Sequence, residues 1–322
     1  MPQRTARFDS TPTETARSTR ETSNAANTRG LAGRALRRLR HLGAHPMVVA
    51  TICAAVIGAT VGIFGFSGWS VGVPVVVIAA VLAFNVAHPR AGLFYPVIAH
   101  GSRAGNRVAL SFDDGPDPKT TPRVLDALTQ YGARATFFVI GRKLAEQPEL
   151  AHRVVAEGHE LGNHSWRHSR FQNLRGTRFH QQEIERGAAA IAATGQSGTP
   201  LYRPPMGLKS PHLAHAARRL GLSAIVSWSL RSGDTHANNP ECIAQRVLRK
   251  VRPGDIILLH DGHDLPGRHR PACAKAVALI LQGLKERNLD CVTLPELLQP
   301  ASRLKTDAAR HGNLAPHTLN LK

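Results

Sequence analysis

The 322 residues hold 41 Lys and Arg against 22 Asp and Glu, a formal net charge of +19. So basic a chain invites nucleic acid, an anionic membrane surface or an anionic substrate as partner; no zinc-finger spacing or RNA-binding aromatic motif accompanies the charge, which argues against nucleic acid. Of four cysteines, Cys53 lies inside an apolar stretch, and the remaining Cys242, Cys273 and Cys291 are too few and too scattered for a secreted disulfide framework, reading instead as buried thiols.

Residues 1–45 carry nine Arg and three acids, Asp9, Glu14 and Glu21. The first 30 lack apolar periodicity and predict a disordered cytoplasmic tail. Over 31–42 leucines recur at helical spacing amid Arg, the pattern of a basic amphipathic helix on anionic lipid or of a plain solvated helix. No charged residue stands between Met47 and Ala87. One helix of that length would be about 60 Å long, twice the hydrocarbon thickness, so it must fold back. A break at Ser67-Gly68-Trp69-Ser70 predicts a two-helix transmembrane hairpin within 46–88. A cleaved signal peptide would have a shorter apolar region nearer the N-terminus. Arg34, Arg37, Arg38 and Arg40 precede the stretch and Arg90, Arg103 and Arg107 follow it. The positive-inside rule then predicts a protein of the inner (cytoplasmic) membrane with both ends in the cytoplasm, a periplasmic or extracellular catalytic domain being the alternative.

A linker is expected over 89–105, a catalytic domain over 106–300 and a polar tail over 301–322. Within the domain, short apolar runs at 107–112, 135–140, 160–163, 200–202, 223–227, 255–259 and 289–293 alternate with longer helix-like segments. Strands alternating with helices imply a parallel sheet, and seven such units suggest an α/β barrel. No internal repeat points to a solenoid.

Polar residues cluster just after these strands: Asp113 and Asp114 after the first, His164 after the third, Arg203 after the fourth, Asp234 after the fifth and His260 after the sixth. In a parallel barrel those strand ends share the face where active sites form. Adjacent carboxylates in Phe112-Asp113-Asp114-Gly115-Pro116 repel each other and invite a cation, although Asp-Gly-Pro is also turn chemistry. His164 and His168 stand at i and i+4, a spacing that on one helical turn lets two imidazoles bind one metal, or that belongs to two surface histidines. With Asp114 they make a two-histidine, one-carboxylate set open to water and substrate; Zn²⁺ fits, and Fe, Co and Mn are alternatives.

Together with Arg203-Pro204-Pro205-Met206-Gly207, Trp228-Ser229-Leu230-Arg231-Ser232-Gly233-Asp234-Thr235 and Ile256-Ile257-Leu258-Leu259-His260-Asp261, these segments resemble, in order, the five motifs of the polysaccharide deacetylase (NodB-homology) family of carbohydrate esterases. The resemblance implies a distorted (β/α) barrel that hydrolyses N-acyl groups, foremost N-acetyl, on amino sugars of a polysaccharide, peptidoglycan or lipid-linked glycan. It implies Asp113 as general base, Asp114, His164 and His168 as metal ligands, and Arg203 as the partner that keeps Asp113 ionised. Pro204 belongs to the loop whose prolines hold the Met206 N–H as oxyanion donor. Asp234 would orient His260, the general acid. The motifs depart from the family where Met206 replaces a frequent aromatic, Arg231 an Asp and Thr235 a Trp, the last removing a pocket wall. His236, His263 and His269 read as exposed loop residues. The alternatives are a deformylase of a lipid-linked formamido sugar and an inactive membrane-anchored glycan-binding protein.

Overall fold

The computed structural model describes residues 46–64, 68–196, 201–265 and 267–299. The expected tails, with the amphipathic segment 31–42, lie outside the described residues.

Two helices, α1 (Pro46–Phe64) and α2 (Gly68–Ala87), pack on each other as the hairpin expected over 46–88. Gly68, Trp69 and Ser70, expected in the break, are helical. Among the described residues no helix is long and apolar enough to cross a membrane. The two-span expectation is therefore not carried by the fold, which shows a helical hairpin with exposed apolar side chains.

Beyond it the described residues form eight short strands: β1 (Val97–Ile98), β2 (Arg107–Asp113), β3 (Thr136–Val139), β4 (Glu160–Asn163), β5 (Ile225–Val226), β6 (Leu230–Arg231), β7 (Ile256–His260) and β8 (Asp290–Cys291). Every strand pair is parallel. The main order is β4-β3-β2-β7-β6, with β8 on the start of β2 and β1 paired to β5. Single bridges from Tyr202 to Asn163 and Ile225 join the two sheets.

Three differences from expectation have local causes. The run at 200–202 contributes only the Tyr202 bridges instead of a strand, since Pro204 and Pro205 follow at once and cannot donate to a ladder. The segment read as a linker supplies β1, with Tyr95 and Ala99 buried, so the folded unit begins before residue 106. The run 223–227 is followed by a second two-residue strand, β6, which carries Arg231.

Helices α3 (Thr121–Gln130), α4 (Gly141–Glu146), α5 (Pro148–Ala156), α6 (Thr177–Ala192), α7 (Pro211–Arg219), α8 (Pro240–Leu248), α9 (Pro271–Glu286) and α10 (Leu294–Leu297) fill the connections. All but α4 and α6 have a proline in the first turn, where its missing N–H costs nothing. Ser210 and Asn239 cap α7 and α8 through their side chains, and Thr293 with Glu296 forms a capping box on α10. β2 is covered on both faces, with Val108, Ala109, Leu110 and Phe112 fully buried, as a central parallel strand must be. Phe112 stacks on Phe137 of β3 at 4.9 Å. The core thus fixes β2, and with it the two carboxylates at its end.

Candidate metal and catalytic site

Sheet register assembles the first pair. Asp113 closes β2 directly opposite His260 of β7 and Phe138 of β3. Strands are about 4.8 Å apart, so two residues far apart in sequence become neighbours through backbone pairing alone. Gly262 lets the two strand-end loops touch, since a Cβ there would overlap the Asp114 carbonyl oxygen. Lys143 pins the same loops, its ammonium donating to the carbonyls of Asp114 and His263 at 2.8 Å each.

Asp114, His164 and His168 are all buried and offer one donor atom each within 4.8 Å of one another. Nε2 of His168 lies 3.2 Å and Nε2 of His164 3.6 Å from Asp114 Oδ1. That oxygen is buried with no hydrogen-bond partner among the described residues, the condition of an atom awaiting a cation. The Nδ1–H of His164 donates to the Arg203 carbonyl at 2.8 Å, which leaves its Nε2 lone pair free, as a metal ligand requires. Burial pushes the His164 imidazole down to about 4, the nearby Asp113 carboxylate only partly opposing it, so it is neutral near pH 7. Burial also works to raise Asp114, but His168, His260 and His164 more than offset this and hold it below the usual carboxylate range. The donor set fits a divalent metal.

The two histidines do not lie on a helical turn. They stand in the loop after β4, where Ser165 and His168 have φ of 69° and 54°, and their ring centroids are 4.9 Å apart. The i,i+4 spacing thus singled out two residues that the structure brings together through a loop and not through a helical turn. Asp114 (φ 70°) and Met206 (φ 57°) share this left-handed backbone, so four of the five such non-glycine residues described border one site. Backbone strain of this kind costs about 1–3 kcal/mol per residue and persists where the surrounding structure enforces it.

Arg203 is completely buried, with Nη1 on Asp113 Oδ1 at 2.6 Å and Nη2 on the Ser227 carbonyl at 3.0 Å. Its guanidinium lies 4.0 Å over the Phe138 ring. Asp113 Oδ2 stands on the other side, 3.7 Å from His164 Nε2. His260 donates its backbone N–H to Asp234 Oδ2 at 2.6 Å, and its Nδ1–H to Oδ1 at 3.0 Å. Ser232 adds a hydroxyl bond to the same carboxylate at 2.9 Å. Burial would lower the His260 pKa, but the Asp234 charge and hydrogen bond, with Asp114 and Asp113, raise it to about 9. Asp234 is held low in return, burial being outweighed by His260.

A cavity of about 510 Å³ opens over these groups. Asp113, Asp114, His164, His168, Met206, Asp234 and His260 line it, and Thr235 and His236 stand exposed on its wall. Arg203 and Pro204 sit behind the lining, both buried. The Met206 N–H has no hydrogen-bond partner among the described residues, which suits an oxyanion donor. His263 and His269 are half-buried and not exposed as expected; they pair with Asp264 and Asp117 at 2.9 and 2.7 Å. Of the three cysteines whose burial is described, Cys273 is buried, Cys291 half-buried and Cys242 exposed.

Sequence reasoning missed Arg170, Asp264 and Arg270 on the cavity wall. Arg170 binds Asp264 at 2.6 Å across 94 positions of sequence, and no local pattern announces such a pair.

The model of the family described as polysaccharide deacetylase matches residues 100–225. A chitooligosaccharide deacetylase of Bradyrhizobium sp. (strain ANU 289) is 36% identical over 217 residues, covering 63% of this chain and 98% of the relative. The chain belongs to the polysaccharide deacetylase family. A Bacillus cereus peptidoglycan-N-acetylglucosamine deacetylase is 37% identical over 60% of this chain and 88% of its own length. The solved structure of peptidoglycan deacetylase PdaC from Bacillus subtilis matches with a TM-score of 0.54 at 30% identity, covering 66% of this chain and 98% of that one. The chain is thus a hydrolase of this deacetylase family.

Proposed function

We propose that this deacetylase-family hydrolase removes an N-acyl group, foremost N-acetyl, from an amino sugar of a polysaccharide, peptidoglycan or lipid-linked glycan. The observation that carries the reading is the register pair Asp113 and His260 standing beside the Asp114, His164, His168 cluster. Those three residues would hold one divalent ion, zinc in first place on the donor types, with Co, Mn and Fe as alternatives. When bound, such an ion polarises an acyl carbonyl and makes water acidic enough to lose a proton near neutral pH.

The chain's own groups divide the remaining work. Arg203 occupies Asp113 Oδ1 and keeps the carboxylate ionised, leaving Oδ2 to accept a proton from the attacking water. The water oxygen adds to the acyl carbon, and the Met206 N–H faces the negative charge that develops on the carbonyl oxygen. His260, charged near pH 7 because of Asp234, gives its Nε2 proton to the nitrogen as the C–N bond breaks. The products are the free amine and a carboxylate. The test is acid release by the detergent-solubilised protein from N-acetyl and N-formyl sugars presented free, polymeric and lipid-linked, with metal content measured alongside. No acid from any of them sinks the reading.

The lipid-linked arm and a location at the cytoplasmic membrane, with the catalytic domain on the cytoplasmic side, rest on the apolar hairpin and the flanking arginines. Ile63, Val76 and Phe84 are among its exposed side chains. A reporter fused after Lys322 that is active only in the periplasm would reverse the orientation.

A further inference from the structure

The acids of the cavity each have a partner, and two arginines of its wall have no carboxylate partner among the described residues. Asp113 is paired with Arg203, Asp234 with His260 and Asp264 with Arg170, while Asp114 belongs to the metal cluster. Arg231 and Arg270 line the same cavity with no carboxylate partner among the described residues. Arg231 ends β6 at the register position of Leu258, one strand from the catalytic histidine. It is exposed, and its guanidinium lies 5.0 Å over the Trp228 ring, a platform that holds the charge at the wall. Arg270 uses Nε on the Gly262 carbonyl at 3.2 Å, which leaves its terminal nitrogens unused. A second cavity of about 280 Å³ shares Asp234 and Arg270 with the first and also has His269 and Lys275 on its wall.

Resting on the deacylase reading, we infer that the substrate carries an anionic group, a carboxylate or a phosphate, close to the N-acyl sugar, and that Arg231 with Arg270 reads it. A planar guanidinium offers two parallel N–H donors to either oxyanion, stronger than neutral hydrogen bonds and selective by geometry.

The experiment uses the full chain in detergent and three matched N-acetylated oligosaccharides: neutral, carboxylate-bearing and phosphate-bearing. Wild type should favour at least one anionic form about tenfold or more in kcat/KM, chiefly through KM, with the advantage shrinking as salt rises. The better anionic arm identifies the source of the charge. Arg231→Asp should remove or invert the anionic-to-neutral ratio, Arg270→Gln should lower it, and Arg231→Lys should keep part of it, which also shows that substitution there leaves the fold intact. Equal turnover of all three by wild type, or an unchanged ratio in Arg231→Asp, overturns the inference. In that case acid release from the neutral sugar that is lost in Asp113→Asn leaves the deacylase reading standing. Release from none of the three overturns both.

Discussion

In the hairpin, Val75, Val76 and Phe84 are 59%, 68% and 56% exposed, whereas in the cavity Asp113, Arg203 and His164 are 3%, 0% and 1% exposed. Apolar side chains stand outside in one region, and polar ones, two of them charged, inside in the other. Each inversion needs its own compensation. A buried charge is tolerated when it is paired and hydrogen-bonded, and removing one partner typically costs about 3–5 kcal/mol because the other is left uncompensated. Exposed valines in such number make an apolar patch of the kind that marks an interaction surface, and a lipid bilayer is the partner proposed for it. The difference predicts that substitutions in the cavity act on turnover and on the fold, while substitutions in the hairpin act on where the molecule resides.

The sharpest break of the comparison is Asp113→Asn. It keeps the shape and hydrogen-bonding capacity at Arg203 but removes the carboxylate proposed as proton acceptor, so turnover should fall by about 10³-fold with metal content intact. His164→Ala should lose the metal as well. Full activity of either purified variant rules out the assigned roles. On the other side, Val76→Asp puts a charge on the exposed face of α2. A charge at the centre of a membrane helix costs about 2.5–3.5 kcal/mol, so the membrane-bound fraction on fractionation should drop while the solubilised variant keeps its kcat. An unchanged distribution would remove the bilayer from the account.

A smaller effect separates geometry from charge within the cavity. Against burial, Asp234 with Asp114 and Asp113 raises the His260 pKa to about 9, so its imidazole is protonated below that pH and, on the proposed role of general acid, activity should decline as pH rises through it. In Asp234→Asn the raising partner is gone and burial dominates, which moves this alkaline limb to lower pH and lowers activity about tenfold or more at pH 8. A pH–kcat profile whose limb stays in place would mean that another group titrates there.

Several of these groups could be read from sequence because each closes an apolar run: Asp113 after 107–112 and His260 after 255–259 sit where a parallel sheet must bring them. What could not be read depends on contacts distant in sequence or on backbone angles. Burial of Arg203 between Phe138 and Asp113 follows from β3 and β2 lying side by side. The loop course of His164 and His168 follows from left-handed φ at Ser165 and His168, residue types that do not advertise it. β1 and β6, two residues each, are too short for alternation to register.

The two regions meet at Lys209, and the least of the expected effects tests how stiffly. Lys209 is 3% exposed and lies three residues past Met206. Its backbone N–H donates to the Val86 carbonyl at 3.2 Å, and its ammonium donates to the His88 carbonyl at 2.7 Å, so the end of α2 is tied to the loop that carries Met206. Arg90 adds a second tie to the Ser229 carbonyl at 2.6 Å. Burial lowers the Lys209 pKa to about 8, which still leaves it mostly charged near neutrality. Lys209→Met keeps the stem and the backbone bond but strips the ammonium from the carbonyls at the helix end, a loss of about 1–3 kcal/mol at the junction. If the tie positions Met206, kcat should fall about three- to fivefold with KM and metal content little changed. If it only anchors the hairpin, kcat should hold and protease cleavage between 88 and 93 should quicken. The two outcomes decide whether the hairpin is part of the catalytic frame or a tether attached to it.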